Sequence, residues 1–335
     1  MFPVSASLIV EACVQSMMLK TSTDSGLLNK LVKSIVPSLT YDLYKGQCGR
    51  IGVVGGSAEY TGAPYFAAIS SVKMGADLAH VFCPREAAPV IKSYSPELIV
   101  YPVLNPETPL LEMKEPMQRM HSYVMGPGLG RQSETGILFR NLVAYAAEKG
   151  NPLVIDADGL YFVAQSPSIL QNVRRAVITP NEVEFGRIYK AVLKADCTPA
   201  KEREKAIEET RELCRRLGNV TIVRKGASDL ITDGTEVFLC DAPNSPRRCG
   251  GQGDLLSGSM GTFLHWAVMA AESGSQDADS KKYHPSMIAA YAACLLTRHC
   301  NRLAYERLGR SATTTDMVNS IHLAIKDFPE ESSNV

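Results

Sequence analysis

The sequence predicts an α/β protein: a doubly wound, mostly parallel central sheet flanked by helices, with an antiparallel hairpin at its edge. Three observations predict it. From about Gly49 onward, short β-rich apolar runs alternate with longer helical patterns, the order that parallel strands joined by crossover helices require. Several of the runs are almost continuously apolar, as strands covered on both faces are. Between Leu230 and Leu239, Asp233-Gly234 separates two apolar runs and marks a tight hairpin turn.

Taken in order, residues 1–45 read as a leader and packing segment with one amphipathic stretch, Leu27 to Ile35, preceded by Asp24 and Ser25 as caps. Strands are expected at Arg50 to Val54, Leu78 to Cys83, Leu98 to Tyr101, Tyr123 to Met125, Pro152 to Ile155, Ala176 to Ile178 and Val220 to Lys225, before the hairpin. Helices Leu255 to Ala271, Pro285 to Tyr305 and Thr315 to Phe328 close the chain. Residues 272–280, small and polar, read as a solvated loop. No repeat or linker divides residues 46–330, which are read as one domain.

Composition removes several function classes. Lys plus Arg equals Asp plus Glu, 35 each, so no overall field draws the chain to nucleic acid or an anionic membrane, and any anion must be bound locally. The nine cysteines form no C-x-x-C pair, which argues against a disulfide framework or a structural zinc site and for a reducing compartment. The six histidines have no metal-ligand spacing, so no resident metal is expected. No run approaches the ~20 apolar residues of a membrane span. The first residues lack a basic n-region and carry Glu11, against a secretory signal; a cytoplasmic protein is expected, with a mitochondrial presequence as the alternative.

Ligands of an open α/β sheet bind at the carboxyl ends of the strands, so glycine and charge should gather there. They do, at Gly55-Gly56-Ser57, at Gly126-Pro127-Gly128-Leu129-Gly130-Arg131, at Asp156-Ala157-Asp158-Gly159 and at Thr179-Pro180-Asn181-Glu182. The richest segment is Asn244-Ser245-Pro246-Arg247-Arg248-Cys249-Gly250-Gly251-Gln252-Gly253-Asp254, at the mouth of a long helix. Its glycines free backbone N–H groups to converge at the positive end of the helix dipole, which describes an anion cradle. Two accounts fit Asp254: a base that takes the proton of an attacking hydroxyl during phosphoryl transfer, or a plain helix N-cap closing a glycine turn. Lys225-Gly226-Ala227-Ser228-Asp229 fits a nucleotide-facing loop and also an ordinary turn. Arg247 and Arg248 fit phosphate clamps and also an exposed basic pair. Of Asp156 and Asp158, one is expected to fix a loop and the other to reach ligand hydroxyls or hydrated Mg2+. The P-loop spacing and the G-x-G-x-x-G dinucleotide fingerprint are both absent.

Six motifs in order, KGQCGRIGVVGGSAEYTGAP, VMGPGLGR, VIDADGL, ITPNEVEFGR, VRKGASD and RRCGGQGDLLSGS, resemble the NAD(P)H-hydrate dehydratases, a branch of the ribokinase-like superfamily. The resemblance covers Lys45 to Phe328 and makes residues 46–330 the catalytic domain. It implies repair of reduced nicotinamide dinucleotides hydrated at C6: the hydroxyl is phosphorylated and phosphate then leaves. It implies Asp254 as base, with Gly251 and Gly253 in the cradle. Gly128, Gly130, Asn181, Glu182, Val183, Glu184, Phe185, Gly186, Arg187 and Asp254 would face the hydrate. Lys225, Gly226, Ala227, Ser228 and Asp229, with Asn244, Ser245, Pro246, Arg247, Arg248, Cys249, Gly250, Gly251, Gln252 and Gly253, would bind ATP with its Mg2+. RRCGGQGD resembles the ATP-using eukaryotic members more than ADP-using bacterial ones. The expected partners are these small molecules, a separate epimerase for the other hydrate epimer, and in a homo-oligomer further copies of the chain. The competing readings are a kinase of a vitamin-like alcohol and a silent nucleotide-binding regulator.

Overall fold

The computed structural model describes residues 21, 22 and 24–327, so the leader and Phe328 lie outside the described residues. Ten strands form one sheet: β1 (Thr21–Ser22), β2 (Arg50–Val54), β3 (Leu78–Cys83), β4 (Leu98–Pro102), β5 (Ser122–Met125), β6 (Leu153–Ile155), β7 (Ala176–Ile178), β8 (Thr221–Arg224), β9 (Asp229–Thr232) and β10 (Val237–Cys240). Their spatial order is β1-β10-β9-β8-β7-β6-β5-β2-β3-β4. Every pairing from β4 through β8 is parallel, whereas β8–β9 and β9–β10 are antiparallel, so the expected sheet and hairpin are both present. One strand lies beyond the hairpin: β1 pairs in parallel with β10, and two polar residues leave no periodic signal in the sequence.

Strand alternation divides the core into two layers. Val53, Val81, Val124, Val154, Val177 and Val223 face the Ser25–Lys33, Gly62–Met74, Gln252–Ser273 and Pro285–Leu308 helices. Val54, Tyr123, Met125, Ile155, Ile178 and Ile222 face the opposite layer, among them Phe139, Phe162 and Phe185 of the Ser133–Glu148, Asp158–Gln165 and Glu182–Leu193 helices. The chain leaves β2 toward β3 and β4, then returns to place β5 on the other side of β2. That reversal sets the loops after β2 and β5 side by side at the carboxyl edge, where open α/β sheets bind ligands.

The loops there pack backbone against backbone. A Cβ at Gly55 would lie 2.2 Å from the Pro127 carbonyl oxygen, and one at Gly126 would lie 1.9 Å from that of Asp156. The helix Gln252–Ser273 crosses Gly62–Met74 as closely, since a Cβ at Gly258 would sit 2.0 Å from the Ala67 carbonyl oxygen. The Ser71 hydroxyl donates to the Gly258 carbonyl at 2.9 Å across the same crossing.

Two expectations are corrected. The stretch 272–280 is not simply solvated: Gln276 and Ser280 are buried, the Ser34 and Ser280 hydroxyls lie 2.6 Å apart, and Lys30 pairs with Asp277 and Asp279. The packing of the Asp24-capped helix Ser25–Lys33 holds it down. The last expected helix is three short pieces, Thr314–Asn319, Ile321–Ala324 and a 3₁₀ turn at Ile325–Asp327, because the Thr313–Asp316 capping box starts it and Ser320 interrupts it.

Replacing Gly258 by Ala should lower stability by about 1–3 kcal/mol, the usual cost of forcing a methyl group into a filled crossing. A fall in the denaturant midpoint at unchanged slope checks it.

Candidate active site at the carboxyl edge of the sheet

The helix Gln252–Ser273 starts three residues earlier than its apolar pattern suggests, with Gly251 at the cap position in the left-handed region, φ +92°. That rules out Asp254 as the N-cap; it lies in the first turn. The first helical bond runs from the Leu255 N–H to the Gly251 carbonyl, so the N–H groups of Gln252, Gly253 and Asp254 lie ahead of the ladder, free for an anion. Gly251 through Asp254 line a cavity of about 620 Å3. The cradle is pinned from behind: the Thr314 hydroxyl donates to the Gly250 carbonyl at 2.6 Å, and Gln252 Nε2 donates to the Arg247 carbonyl at 3.2 Å.

Asp254 is only 9% exposed, and burial followed by the negative charge of Asp156 pushes its carboxyl well above the usual range, against the pull of Lys225. A carboxylate raised in this way is a better proton acceptor near neutral pH. Lys225 Nζ donates to Asp156 Oδ1 at 3.0 Å and lies 4.0 Å from Glu184 Oε2. Burial opposes its charge, but Asp156 and Glu184 outweigh burial and hold the ammonium form. Burial likewise raises the Glu184 carboxyl, with Lys225 drawing it back. Asp156 is held by a strained neighbour: Ala157 adopts φ +50° and ψ −123°, a conformation that costs a non-glycine residue on the order of 1–3 kcal/mol. Asp158 fixes a loop, as one of the two aspartates was expected to do. It accepts from the Gly130 N–H at 3.0 Å and Arg131 Nε at 2.7 Å, tying the Gly126–Arg131 turn to the end of β6.

The segment Asn181–Arg187 divides its work. Asn181 caps the helix Glu182–Leu193 by accepting from the Val183 and Glu184 N–H groups, and Glu184 Oε2 accepts from the Asn181 N–H at 2.8 Å. Both line the cavity. The other five lie outside its lining. Glu182 pairs with the fully buried Arg224, whose guanidinium stacks 4.0 Å from the Phe185 ring centre. Val183 and Arg187 are exposed, and Gly186 backs onto Cys197. Gly128 packs under Tyr60, beside the Gly130 turn.

Of the residues expected to bind ATP outside the helix start, Lys225, Gly226, Ala227, Asp229, Asn244 and Arg248 line the cavity. Arg248 Nη1 donates to the Ser245 carbonyl at 2.6 Å, whereas Arg247 lies outside the lining and its Nε donates to the Ala312 carbonyl at 3.0 Å. Ser228, Ser245, Pro246, Cys249 and Gly250 lie outside the lining. Thr297, Arg298 and Asn301 of the Pro285–Leu308 helix line the cavity too, and the sequence reading missed them. Their signal was the onset of polar residues directly after the apolar run Met287–Leu296. Among the described residues no three His, Cys, Asp or Glu side chains gather to cage a metal, and no helix is long and apolar enough to cross a membrane.

A family model described as NAD(P)H-hydrate dehydratase matches residues 51–323. The mouse (Mus musculus) protein named ATP-dependent (S)-NAD(P)H-hydrate dehydratase is 50% identical over 299 residues, covering 89% of this chain and 84% of its own. The zebrafish (Danio rerio) protein of that name is 46% identical over 328 residues, covering 98% and 96%. Among solved structures, a ribokinase-like superfamily protein from Enterococcus faecalis has a TM-score of 0.70 at 19% identity, covering 93% of this chain and 97% of its own. The ADP/ATP-dependent NAD(P)H-hydrate dehydratase from Bacillus subtilis, co-crystallized with ATP and Mg2+, has a TM-score of 0.68 at 20% identity, covering 90% and 97%. These two structural likenesses show the fold, which is ribokinase-like.

Replacing Glu182 by Ala leaves the Arg224 guanidinium buried with the Thr198 carbonyl as its remaining hydrogen-bond acceptor. Breaking a buried pair costs about 3–5 kcal/mol, and the 41% exposure of the Glu182 side chain puts this one toward the lower end. Chemical denaturation should read that loss.

Proposed function

The chain belongs to the NAD(P)H-hydrate dehydratase family, and from that premise we propose that it uses ATP to dehydrate the S epimer of hydrated NADH and NADPH back to NADH and NADPH. The observation that carries the reading is Asp254: a buried carboxylate in the first turn of a helix whose free N–H groups form an anion cradle, with Lys225 across from it.

In this reading Asp254 accepts the proton of the C6 hydroxyl as that oxygen attacks the γ-phosphorus of ATP. The bond from phosphorus to the β-phosphate oxygen breaks and ADP leaves. The N–H groups of Gln252, Gly253 and Asp254, with the Lys225 ammonium, stabilise the charge on the transferring group. Water is a poor leaving group at neutral pH and phosphate a good one. The ring nitrogen's lone pair expels phosphate from C6, and loss of the C5 proton restores the double bond. The net products are the reduced dinucleotide, ADP and phosphate.

Four carboxylates line the cavity, Asp156, Glu184, Asp229 and Asp254, against the three cations Lys225, Arg248 and Arg298. That balance fits a triphosphate that brings its own dication. Mg2+ would supply charge neutralisation, and Asp156 and Glu184 are the hard oxygen donors available to hold it. We assign Asn181, Glu184 and the Gly128–Gly130 turn to the hydrate side. Residues 225–229 and 244–253 go to ATP, with Glu182, Phe185, Ser245 and Arg247 shaping the walls from behind. Residues 46–330 form the catalytic unit, working in the cytoplasm beside a separate epimerase.

Purified protein with hydrated NADH, Mg2+ and ATP should restore the reduced-nicotinamide absorbance, and ADP in place of ATP should support less. Failure to restore it, together with phosphorylation of a pyrimidine or thiazole alcohol, would make this a vitamin-type kinase instead.

Asp254→Asn should lower turnover by about 10²–10⁴-fold while leaving ATP binding intact. Because the Asp254 carboxyl ionises less readily folded than unfolded, its charge costs stability above the ordinary carboxylate range and the cost disappears as pH falls. The amide has no such cost, so thermal denaturation at pH 7 should show the variant melting higher than the parent. Turnover of the parent should fall on the acid side as Asp254 takes up its proton. Asp156→Asn removes a charge that raises that carboxyl and should move the acid limb of the pH–rate curve to lower pH.

A further inference from the structure

The helix Pro285–Leu308 is buried along most of its length, and its stretch Met287–Leu296 is almost wholly apolar up to the point where it meets the cavity. There it carries Arg298 and, three residues on and so on the same face, Asn301, each only 5% exposed. Arg298 Nε donates to Asp229 Oδ2 at 2.7 Å, Nη1 to the Ala242 carbonyl at 3.2 Å, and Nη2 to the Gly226 and Ala227 carbonyls at 3.1 and 2.9 Å. Asn301 Oδ1 accepts from the Ser245 N–H at 2.8 Å and hydroxyl at 2.7 Å, and its Nδ2 donates to the Arg247 carbonyl at 3.0 Å. Asp229 closes the circuit, since its Oδ1 accepts from the Gly226 N–H at 3.0 Å.

One cation thus takes up four negative ends: three main-chain carbonyls in the two loops that follow β8 and β10, and the carboxylate of Asp229 at the start of β9. Each of these would repel a phosphate if it were free to turn into the cavity. The planar guanidinium fork reaches them in three directions at once, which a single ammonium cannot do. A helix needing only to pack would have kept this face apolar, because burying a charge costs free energy that packing alone does not return.

We propose that Arg298, seconded by Asn301, is the positioning residue of the nucleotide half of the site. It sets the shape of the two loops against which ATP lies and neutralises Asp229, without touching the reacting atoms. The proposal rests on the reading that this cavity takes ATP.

The test uses the full chain and the variants Arg298→Lys and Asn301→Ala. Calorimetry gives the ATP–Mg2+ dissociation constant, steady-state rates give KM for ATP and for hydrated NADH, and a thermal melt follows folding. Arg298→Lys should weaken ATP binding and raise the ATP KM by about tenfold or more, with the hydrate KM and the kcat at saturating ATP within about twofold of the parent. Asn301→Ala should move the ATP constants by about threefold in the same direction, and it decides the matter should Arg298→Lys not fold. A lower melting temperature with ATP affinity unchanged overturns the proposal, because a purely structural arginine behaves so. So does a parallel rise in both KM values, which marks general loosening. If the parent itself fails to bind ATP, the reading of the cavity falls and the proposal with it. If the parent binds ATP and the variants bind it equally well, the proposal alone falls.

Discussion

The site is organised around one ammonium group held among carboxylates. Lys225 Nζ bonds Asp156, lies within 4.0 Å of Glu184, and is the positive charge that opposes the rise of Asp254. These three carboxylates come from the end of β6, the first turn of the Glu182–Leu193 helix and the first turn of the Gln252–Ser273 helix. Without the lysine they would repel one another in a largely buried space, where charges interact more strongly than in water. Much of the surrounding architecture serves to hold this group in place. Ala157 accepts backbone strain next to Asp156, the Asn181–Glu184 capping box sets one carboxylate, and the Arg298–Asp229 pair steadies the loop that begins at Lys225.

The parallel sheet was legible because its strands are buried on both faces, and short, nearly continuous apolar runs such as Arg50–Val54 and Leu78–Cys83 suit a strand covered by helices above and below. The hairpin was legible from Asp233-Gly234 alone. β1 was not, since Thr21–Ser22 has neither length nor hydrophobicity and owes its pairing to β10. The glycine-rich loops were located correctly, but their chemistry was read too simply. Gly126 and Gly55 are small because neighbouring carbonyl oxygens occupy the space of a side chain, a relation between segments distant in sequence. Likewise the N-x-x-E pattern at Asn181 is in the first place a helix cap, and Asn181 and Glu184 line the cavity because the cap sits at its edge.

Asp254 was legible as a residue and not as an environment. The sequence alone left a base and a helix cap open, and position removes the cap: Gly251 holds it, and the Asp254 carboxylate is buried in the first turn. Its raised proton affinity comes from burial and from Asp156, which lies in another loop. Arg298 and Asn301 were missed for a related reason. Most of their partners are main-chain carbonyls and N–H groups, which no side-chain motif encodes.

Several of the ties that pin the cradle and its neighbouring loops come from later in the chain. Asn301 holds Ser245, Arg298 holds Gly226 and Ala227, and Thr314 holds the Gly250 carbonyl. On the ribosome, the sheet through β10 and the glycine segment itself emerge before any of these anchors exist. The loops after β8 and β10 are thus unsupported until those later residues have been made, and so is the sheet face that packs on the Gln252–Ser273 and Pro285–Leu308 helices. The geometry of the carboxyl edge of the sheet therefore waits on residues 298–314.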